Sequence, residues 1–222
     1  GRRQMIFLLF CVLVFGFGGS ASIPPLERPL KSSVVVQVCQ GEDCSNVGSG
    51  TLVRRHGRLY LGNHKFGVLT AKHVASNPGS KRACLILKPS ECLELGSYIS
   101  SSSEDLEGDW AVYPVDGIPD EARTAKIRTF GTEPLIGENV SIIGVPFGQH
   151  RMVSRGSVGM VEEGYLLIDG YASPGSSGGG VFDSRGRLIG IVVAIPMVSM
   201  PGIEFVPVGE TGLPIAIRIP RR

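Results

Sequence analysis

The sequence has no excess of charge of either sign. It contains 22 Lys and Arg against 20 Asp and Glu, and the basic residues are scattered along the chain. Nucleic-acid-binding proteins concentrate basic side chains on one face, so we expect no nucleic-acid partner. A second Cys/His cluster with the spacing of zinc ligands is also lacking, which argues against a metal site. We expect neither a metal nor a cofactor.

Long amphipathic helices are missing as well. No apolar stripe continues over three helical turns, and only Asp120–Arg128 is compatible with a short helix. Gly and Pro are abundant, at 31 and 15 residues, and favour short strands joined by tight turns. The sequence therefore predicts an all-β sandwich or barrel.

Runs rich in Val, Ile, Phe and Tyr alternate with turn residues after residue 32. The predicted strands are Ser33–Val38, Ser49–Val53, Phe66–Thr70, Cys84–Leu87, Trp110–Val115, Val140–Ile143, Val153–Met160, Tyr165–Ile168, Val181–Phe182, Leu188–Ala194 and Glu204–Val208. The long connection Gly117–Glu138 predicts a division into barrels at 33–120 and 121–222. Residues 22–32 are expected to be an extended lead-in because their prolines oppose helix.

The N-terminal segment differs from the rest of the chain. Met5–Gly18 is apolar apart from glycine, Arg2 and Arg3 precede it, and Gly19–Ala21 supplies small residues. This order is typical of a signal peptide, and a run of 14 residues is short for crossing a bilayer core of about 30 Å. We expect residues 1–21 to be a cleaved signal peptide. A retained membrane anchor is the alternative, and any membrane contact is expected only through this segment.

The cysteines agree with export. Cys11 lies in the apolar run, and the four others are Cys39, Cys44, Cys84 and Cys92. An even number of cysteines in an exported domain indicates disulfides, here with three possible pairings. The local pairing, Cys39 with Cys44 and Cys84 with Cys92, requires only that each segment folds back as a hairpin. Four free thiols are the alternative. We expect a secreted, periplasmic or lumenal protein.

The strongest chemical motif is Ser173–Gly180, SPGSSGGG. A serine becomes a nucleophile when a base takes its proton and nearby donors hold the oxyanion. Gly175 permits a backbone conformation that other residues resist, so the N–H groups of Gly175 and Ser177 can converge on one point. A flexible Gly/Ser loop is the alternative.

The N-terminal half supplies a candidate base and a candidate carboxylate. His73 follows the apolar strand Phe66–Thr70, and histidine transfers protons near neutral pH. Asp109 directly precedes an apolar strand and can hold the imidazole in one tautomer. Asp105 lies in a polar Ser/Glu run and is a weaker candidate. The other histidines, in charged or Gly-rich loops, are also weaker: His56, His64 and His150.

Seven short motifs occur in one order along the chain. They are Gly48–Gly50 (GSG), Leu69–Val74 (LTAKHV), Asp109–Val112 (DWAV), Ile143–Gly148 (IGVPFG), Pro174–Gly179 (PGSSGG), Gly186–Ala194 (GRLIGIVVA) and Gly202–Pro207 (GIEFVP). Together they resemble the motifs of HtrA-type trypsin-like serine proteases. The resemblance implies a chymotrypsin-like fold of two six-stranded antiparallel β-barrels, with the active site in the cleft between them.

The resemblance also implies a serine endopeptidase that works through an acyl-enzyme. Ser177 is then the nucleophile, His73 the general base and Asp109 the residue that orients the histidine. The Gly175 and Ser177 N–H groups form the oxyanion hole. The pocket for the side chain before the scissile bond, P1, is implied to be lined by Tyr171, Ala172, Pro174, Val193 and Ala194. Its segments contain no acidic residue and no His, so we expect a small or medium apolar P1 side chain in a protein or peptide substrate.

Two departures from the family pattern qualify the resemblance. The chain ends soon after the last motif, so no PDZ domain is expected. Ser176 stands where the family has Asn or Asp, so activation through an Asp paired with a new N-terminal amine is not expected.

Compact viral polyprotein proteases share this fold, which leaves a viral precursor as a second origin. The alternatives to an enzyme are an inactive trypsin-fold module for binding or protein-quality control, and a membrane-anchoring segment of a precursor.

Overall fold

The structure is a computed structural model that describes residues 25–55, 61–103, 105–128, 132–194, 197–200, 203–207 and 215–218. The predicted leader, residues 1–21, lies outside this part of the chain. Among the residues that the structure describes, no helix is long and apolar enough to cross a membrane.

The first half of the chain forms one antiparallel sheet. Its elements are α1 Glu27–Ser32, β1 Ser33–Gln40, β2 Asp43–Arg54, β3 Phe66–Thr70, α2 Lys72–Ala75, β4 Ser80–Leu85, β5 Cys92–Leu95, β6 Ile99–Ser100, a 3-10 helix Leu106–Gly108 and β7 Ala111–Val115. The seven strands follow the order β5-β4-β1-β2-β3-β7-β6. Alternate residues of the central strands, among them Val34, Leu52, Val68 and Tyr113, pack into one buried cluster.

The second half forms a closed barrel. Its elements are β8 Lys126–Ile127, β9 Asn139–Gly144, a 3-10 helix Pro146–Gly148, β10 Met152–Val161, β11 Tyr165–Asp169, β12 Gly180–Asp183, β13 Arg187–Ala194, β14 Met197–Met200, β15 Ile203–Pro207 and β16 Ile215–Arg218. The order β12-β9-β10-β11-β16-β13 closes because β12 also pairs with β13. β8 adds to β13 in parallel, and β14 and β15 form a separate hairpin.

The two halves share an apolar core. One buried cluster combines Leu69 and Val112 of the first sheet with Ile143 and Ile191 of the barrel. The chymotrypsin-like double-barrel class is thus confirmed. The N-terminal half differs in detail from the expected six-stranded barrel, because its seven strands form a half-barrel sheet whose described ends, β5 and β6, are not hydrogen-bonded to each other.

One local expectation is wrong, and one helix that the sequence allowed does not form. Residues 27–32 of the expected extended lead-in form α1, which accepts Pro29 because the first N–H groups of a helix have no intrahelical acceptor. Asp120–Arg128 forms no helix; its buried Ala125 donates its N–H to the Leu52 carbonyl at 2.8 Å, and Lys126–Ile127 pairs with β13. Tertiary hydrogen bonds therefore decide the conformation of this connection.

The local disulfide pairing is confirmed. Cys39 and Cys44 face each other across β1 and β2 and form one bond, with 4.1 Å between Cα atoms. Cys84 and Cys92 face each other across β4 and β5 and form the second, with 3.9 Å between Cα atoms. Two disulfides indicate that the domain folds in an oxidising environment.

Candidate active site

His73 and Asp109 lie at the same end of the N-terminal sheet. β3 and β7 are antiparallel neighbours in which Thr70 pairs with Ala111. His73 comes three residues after Thr70, in the short helix α2, and Asp109 comes two residues before Ala111. The strand register therefore brings together two side chains that lie 36 residues apart in the sequence.

The Asp109 carboxylate makes two contacts with His73. One oxygen, Oδ2, lies 2.7 Å from Nδ1 of the imidazole. The other, Oδ1, accepts a hydrogen bond from the His73 backbone N–H at 2.9 Å. The carboxylate thus fixes both the ring and the backbone of the histidine. The imidazole is 48% exposed and the carboxylate 22% exposed, so the ring is open to a reacting group while the carboxylate lies behind it.

The competing carboxylate and the other described histidines have partners other than His73 and Asp109. Asp105 accepts a hydrogen bond from the Ser103 hydroxyl at 2.9 Å. His64 pairs with Asp116 at 2.9 Å, and the His150 N–H donates to the Pro146 carbonyl at 3.4 Å. His56 lies outside the described residues. Of the described histidines, His73 is the one that contacts Asp109.

The Ser177 turn is anchored to the first sheet and to the barrel. The Ser49 N–H donates to the Ser177 carbonyl at 2.7 Å, and the Gly178 N–H donates to the Val192 carbonyl at 2.7 Å. A Cβ added to Gly178 would lie 3.1 Å from the backbone nitrogen of Ala71, so this turn packs against the segment that enters His73.

The Ser177 hydroxyl has no hydrogen bond to His73 in the described part of the chain. The structure brings the serine turn to the segment that carries the histidine and stops short of that contact. Catalytic hydrogen bonds are often long in free enzymes and tighten when substrate binds.

The turn before Ser177 has its backbone donors available. Gly175 has a φ of 94°, and a Cβ at this position would lie 2.5 Å from the Val145 carbonyl oxygen. The Pro174 carbonyl accepts a hydrogen bond from the Phe147 N–H at 2.6 Å. Because this peptide bond is trans, the Gly175 N–H points the opposite way, away from Phe147. Within the described residues, neither the Gly175 nor the Ser177 N–H donates a hydrogen bond.

The predicted P1 segments adjoin this turn. Ala172 and Val193 are buried at 5% and 4% exposure, Tyr171 is half-buried and Pro174 is exposed. The Tyr171 N–H donates to the buried Ser154 hydroxyl at 3.1 Å. The side chain of Ala194 lies outside the described residues. The segment before the nucleophile therefore combines buried, small apolar residues with an exposed proline.

A groove and a serine were missed by sequence reasoning. The groove, of about 660 Å³, lies beside His73 and is lined by Ser76, Asn77, Pro78, Ser103, Asp105 and Leu106. Buried Ser49 touches the Ser177 turn, and the GSG motif was the sequence signal that could have identified it. No cluster of His, Cys, Asp and Glu within the described ranges could hold a metal ion.

A family model and a known protease both match part of this chain. Residues 48–191 match the model of the trypsin-like peptidase domain. The chain is 31% identical over 123 residues to chloroplastic Protease Do-like 1 of Arabidopsis thaliana, covering 49% of this chain and 28% of that protein. The chain thus spans less than a third of that relative.

Solved structures show the same fold. The serine endoprotease from Yersinia pestis superposes with a TM-score of 0.61 at 22% identity, covering 87% of this chain and 60% of that one. The HtrA-type protease AlgW with a decapeptide gives 0.60 at 21% identity, covering 87% and 62%. Since the family model covers more than half of the sequence, the chain belongs to the trypsin-like peptidase domain family.

Proposed function

We propose that the chain is a serine endopeptidase in which Ser177, His73 and Asp109 form the catalytic triad. The observation that carries the proposal is the double contact of the Asp109 carboxylate with His73, beside the turn of Ser177. With Nδ1–H donating to Asp109, the free Nε2 of the imidazole is the atom that accepts a proton. This arrangement suits a general base.

The proposed reaction passes through an acyl-enzyme. His73 takes the Ser177 hydroxyl proton as the oxygen attacks the substrate carbonyl carbon, and the Gly175 and Ser177 N–H groups stabilise the resulting oxyanion. His73 then donates the proton to the leaving amine, and the peptide bond breaks. Water hydrolyses the acyl ester by the reverse proton transfers and regenerates Ser177. The available N–H groups of this turn support the proposed oxyanion hole.

The proposed substrate is a protein or peptide with a small or medium apolar P1 side chain. Buried Ala172 and Val193 support this preference, and the pocket segments provide no acidic residue to pair with Lys or Arg. The HtrA-type protease AlgW was solved with a decapeptide and with a tripeptide, and a peptide substrate is proposed here by analogy.

The domain division and the export signal remain proposals. We propose an N-terminal unit of 33–120 carrying His73 and Asp109, and a C-terminal unit of 121–222 carrying Ser177. Residues 1–21 are proposed to direct export, in keeping with the two disulfides. The intact mass of protein purified from an exporting host shows whether this leader is removed.

The test is hydrolysis of a peptide library that varies P1. We expect the natural chain to cleave after small or medium apolar residues, and Ser177→Ala to lower kcat by about 10⁶-fold because triad members act as a unit. Ser184→Ala, in an exposed turn of the barrel, is the matched control and should keep normal turnover.

Normal turnover by a folded Ser177→Ala variant would overturn the triad. Preferred cleavage after Lys or Arg would overturn the P1 proposal alone. Peptide binding by the natural chain without cleavage would support the inactive binding module instead.

A further inference from the structure

Ser49 contacts both halves of the proposed catalytic machinery. Its side chain is fully buried in β2. Its hydroxyl donates a hydrogen bond to the Gly175 carbonyl at 2.8 Å and accepts one from the Val145 N–H at 2.9 Å. Its own carbonyl accepts a hydrogen bond from Thr70 Oγ1 at 2.7 Å, three residues before His73. One serine therefore links the oxyanion turn, the loop at Val145 and the strand that leads to the histidine.

These contacts restrain the peptide groups on both sides of Gly175. The Gly175–Ser176 peptide is held through its carbonyl by Ser49, and the Pro174–Gly175 peptide is held through its carbonyl by the Phe147 N–H. A glycine has wide conformational freedom, so hydrogen bonds must hold the orientation of its N–H. The Gly175 N–H, one of the two proposed oxyanion donors, belongs to the Pro174–Gly175 peptide, so its direction depends on the hydrogen bond from the Phe147 N–H. Ser49 fixes the following peptide and, by accepting the Val145 N–H, also fixes the loop that carries Phe147.

We propose that Ser49 is a positioning residue. Its hydroxyl holds the turn and the loop at Val145 so that the Gly175 N–H keeps the orientation needed to stabilise the oxyanion. This inference rests on the proposed function. Ser49 touches no reacting atom, so its effect passes through the turn. Preorganised donors act because they need no reorientation when charge develops. Loss of the hydroxyl should therefore slow the chemical step and leave the binding of peptide unchanged.

The test compares kcat and KM of the natural chain and Ser49→Ala, measured well below the thermal midpoint. We expect kcat to fall by about 10-fold or more and KM to stay unchanged. The loss should be smaller than the roughly 10²–10³-fold fall in kcat that follows removal of an oxyanion donor itself. The rate of labelling of Ser177 by a fluorophosphonate should fall in parallel, since that reaction also places an oxygen in the oxyanion hole.

The matched control is Ser141→Ala. Ser141 is a buried serine of β9 whose hydroxyl has no hydrogen-bond partner within the described residues. A merely structural role for Ser49 would lower the thermal midpoint and leave kcat at the control value, and that result would overturn the inference.

A second variant, Asn46→Ala, keeps the inference testable if Ser49→Ala does not fold. Asn46 is exposed, and its side-chain amide donates to the Gly148 carbonyl at the far end of the same loop. We expect a smaller fall in kcat, again with KM unchanged, and an unchanged kcat in either folded variant would contradict the inference. Failure of the proposed function is distinct, because it would appear as normal turnover in Ser177→Ala.

Discussion

The two halves of the molecule are stabilised by different means. Within the described residues, the end strands of the N-terminal sheet are not hydrogen-bonded to each other, and both disulfides lie in this sheet. The C-terminal barrel closes through β12 and β13, and the sequence has no cysteine after Cys92. Cys84–Cys92 ties edge strand β5 to its single described neighbour β4. Covalent links therefore occur in the half whose described end strands are not joined by hydrogen bonds.

The barrel has a buried ion cluster at its closing turn. The Asp183 carboxylate is fully buried and contacts Nε and Nη2 of Arg187, each at 2.7 Å. It also accepts the backbone N–H groups of Arg185 and Arg187, both at 2.9 Å. Arg128 lies 3.7 Å from the same carboxylate and pairs with Glu138 at 2.7 Å. Arg187 and two backbone N–H groups thus satisfy the buried carboxylate at the β12–β13 turn that closes the barrel.

Removal of this carboxylate should have the largest effect on stability. Asp183→Ala leaves Arg187 without its buried partner and two N–H groups without an acceptor, so we expect the free energy of unfolding to fall by about 3–5 kcal/mol. Asp169→Ala, an exposed position in the same barrel, should change it by less than about 0.5 kcal/mol. Urea unfolding measures both. Equal effects of the two substitutions would show that the ion cluster does not stabilise the barrel.

Removal of one disulfide should have an intermediate effect, confined to the N-terminal half. The double variant Cys84→Ala/Cys92→Ala should lose about 2 kcal/mol, because the bond closes a short loop in the unfolded chain. Amide hydrogen exchange should show lost protection in β4 and β5 with unchanged protection in β12 and β13. Equal loss of protection in both halves would show that this disulfide does not act on the N-terminal half alone.

The smallest expected effect concerns alkaline pH. Burial raises the pKa of Tyr113, whose hydroxyl donates to the Ala75 carbonyl at 3.2 Å. The unfolded chain loses this proton near the ordinary tyrosine pKa of about 10 while the folded chain keeps it, so stability is retained below that pH and lost above it.

Tyr113→Phe separates the contribution of the hydroxyl's hydrogen bond from that of its ionisation at high pH. It should lower stability by about 1 kcal/mol at pH 8, through the lost hydrogen bond, and should reduce the further loss between pH 10 and pH 12. Denaturant midpoints at these pH values give the measurement. An unchanged alkaline loss in Tyr113→Phe would assign it to other groups.

The sequence predicts the elements whose determinants are local. Runs such as Phe66–Thr70 carry their own strand signal, and both disulfides join direct cross-strand neighbours of hairpins. The two-residue strands β6 and β8 were missed because two residues show no periodicity, and β8 forms through pairing with β13, about 60 residues away. Long-range pairing of this kind has no local pattern in the sequence.

The same limit applies to the site. His73, Asp109 and Ser177 were predicted because each lies in a recognisable motif. The hydroxyl of Ser49 was missed because its partners, Val145 and Gly175, lie 96 and 126 residues further along the chain. Its role depends on the packing of the loop at Val145 against β2, which only the folded structure shows.

The most direct test of the account is the site at which a fluorophosphonate reacts. Intact mass and peptide mapping of the labelled chain should give a single adduct at Ser177, and His73→Ala should abolish the reaction because the serine then loses its base. An adduct at another serine, or labelling of His73→Ala at an undiminished rate, would contradict a site assembled from His73 of the sheet and Ser177 of the barrel.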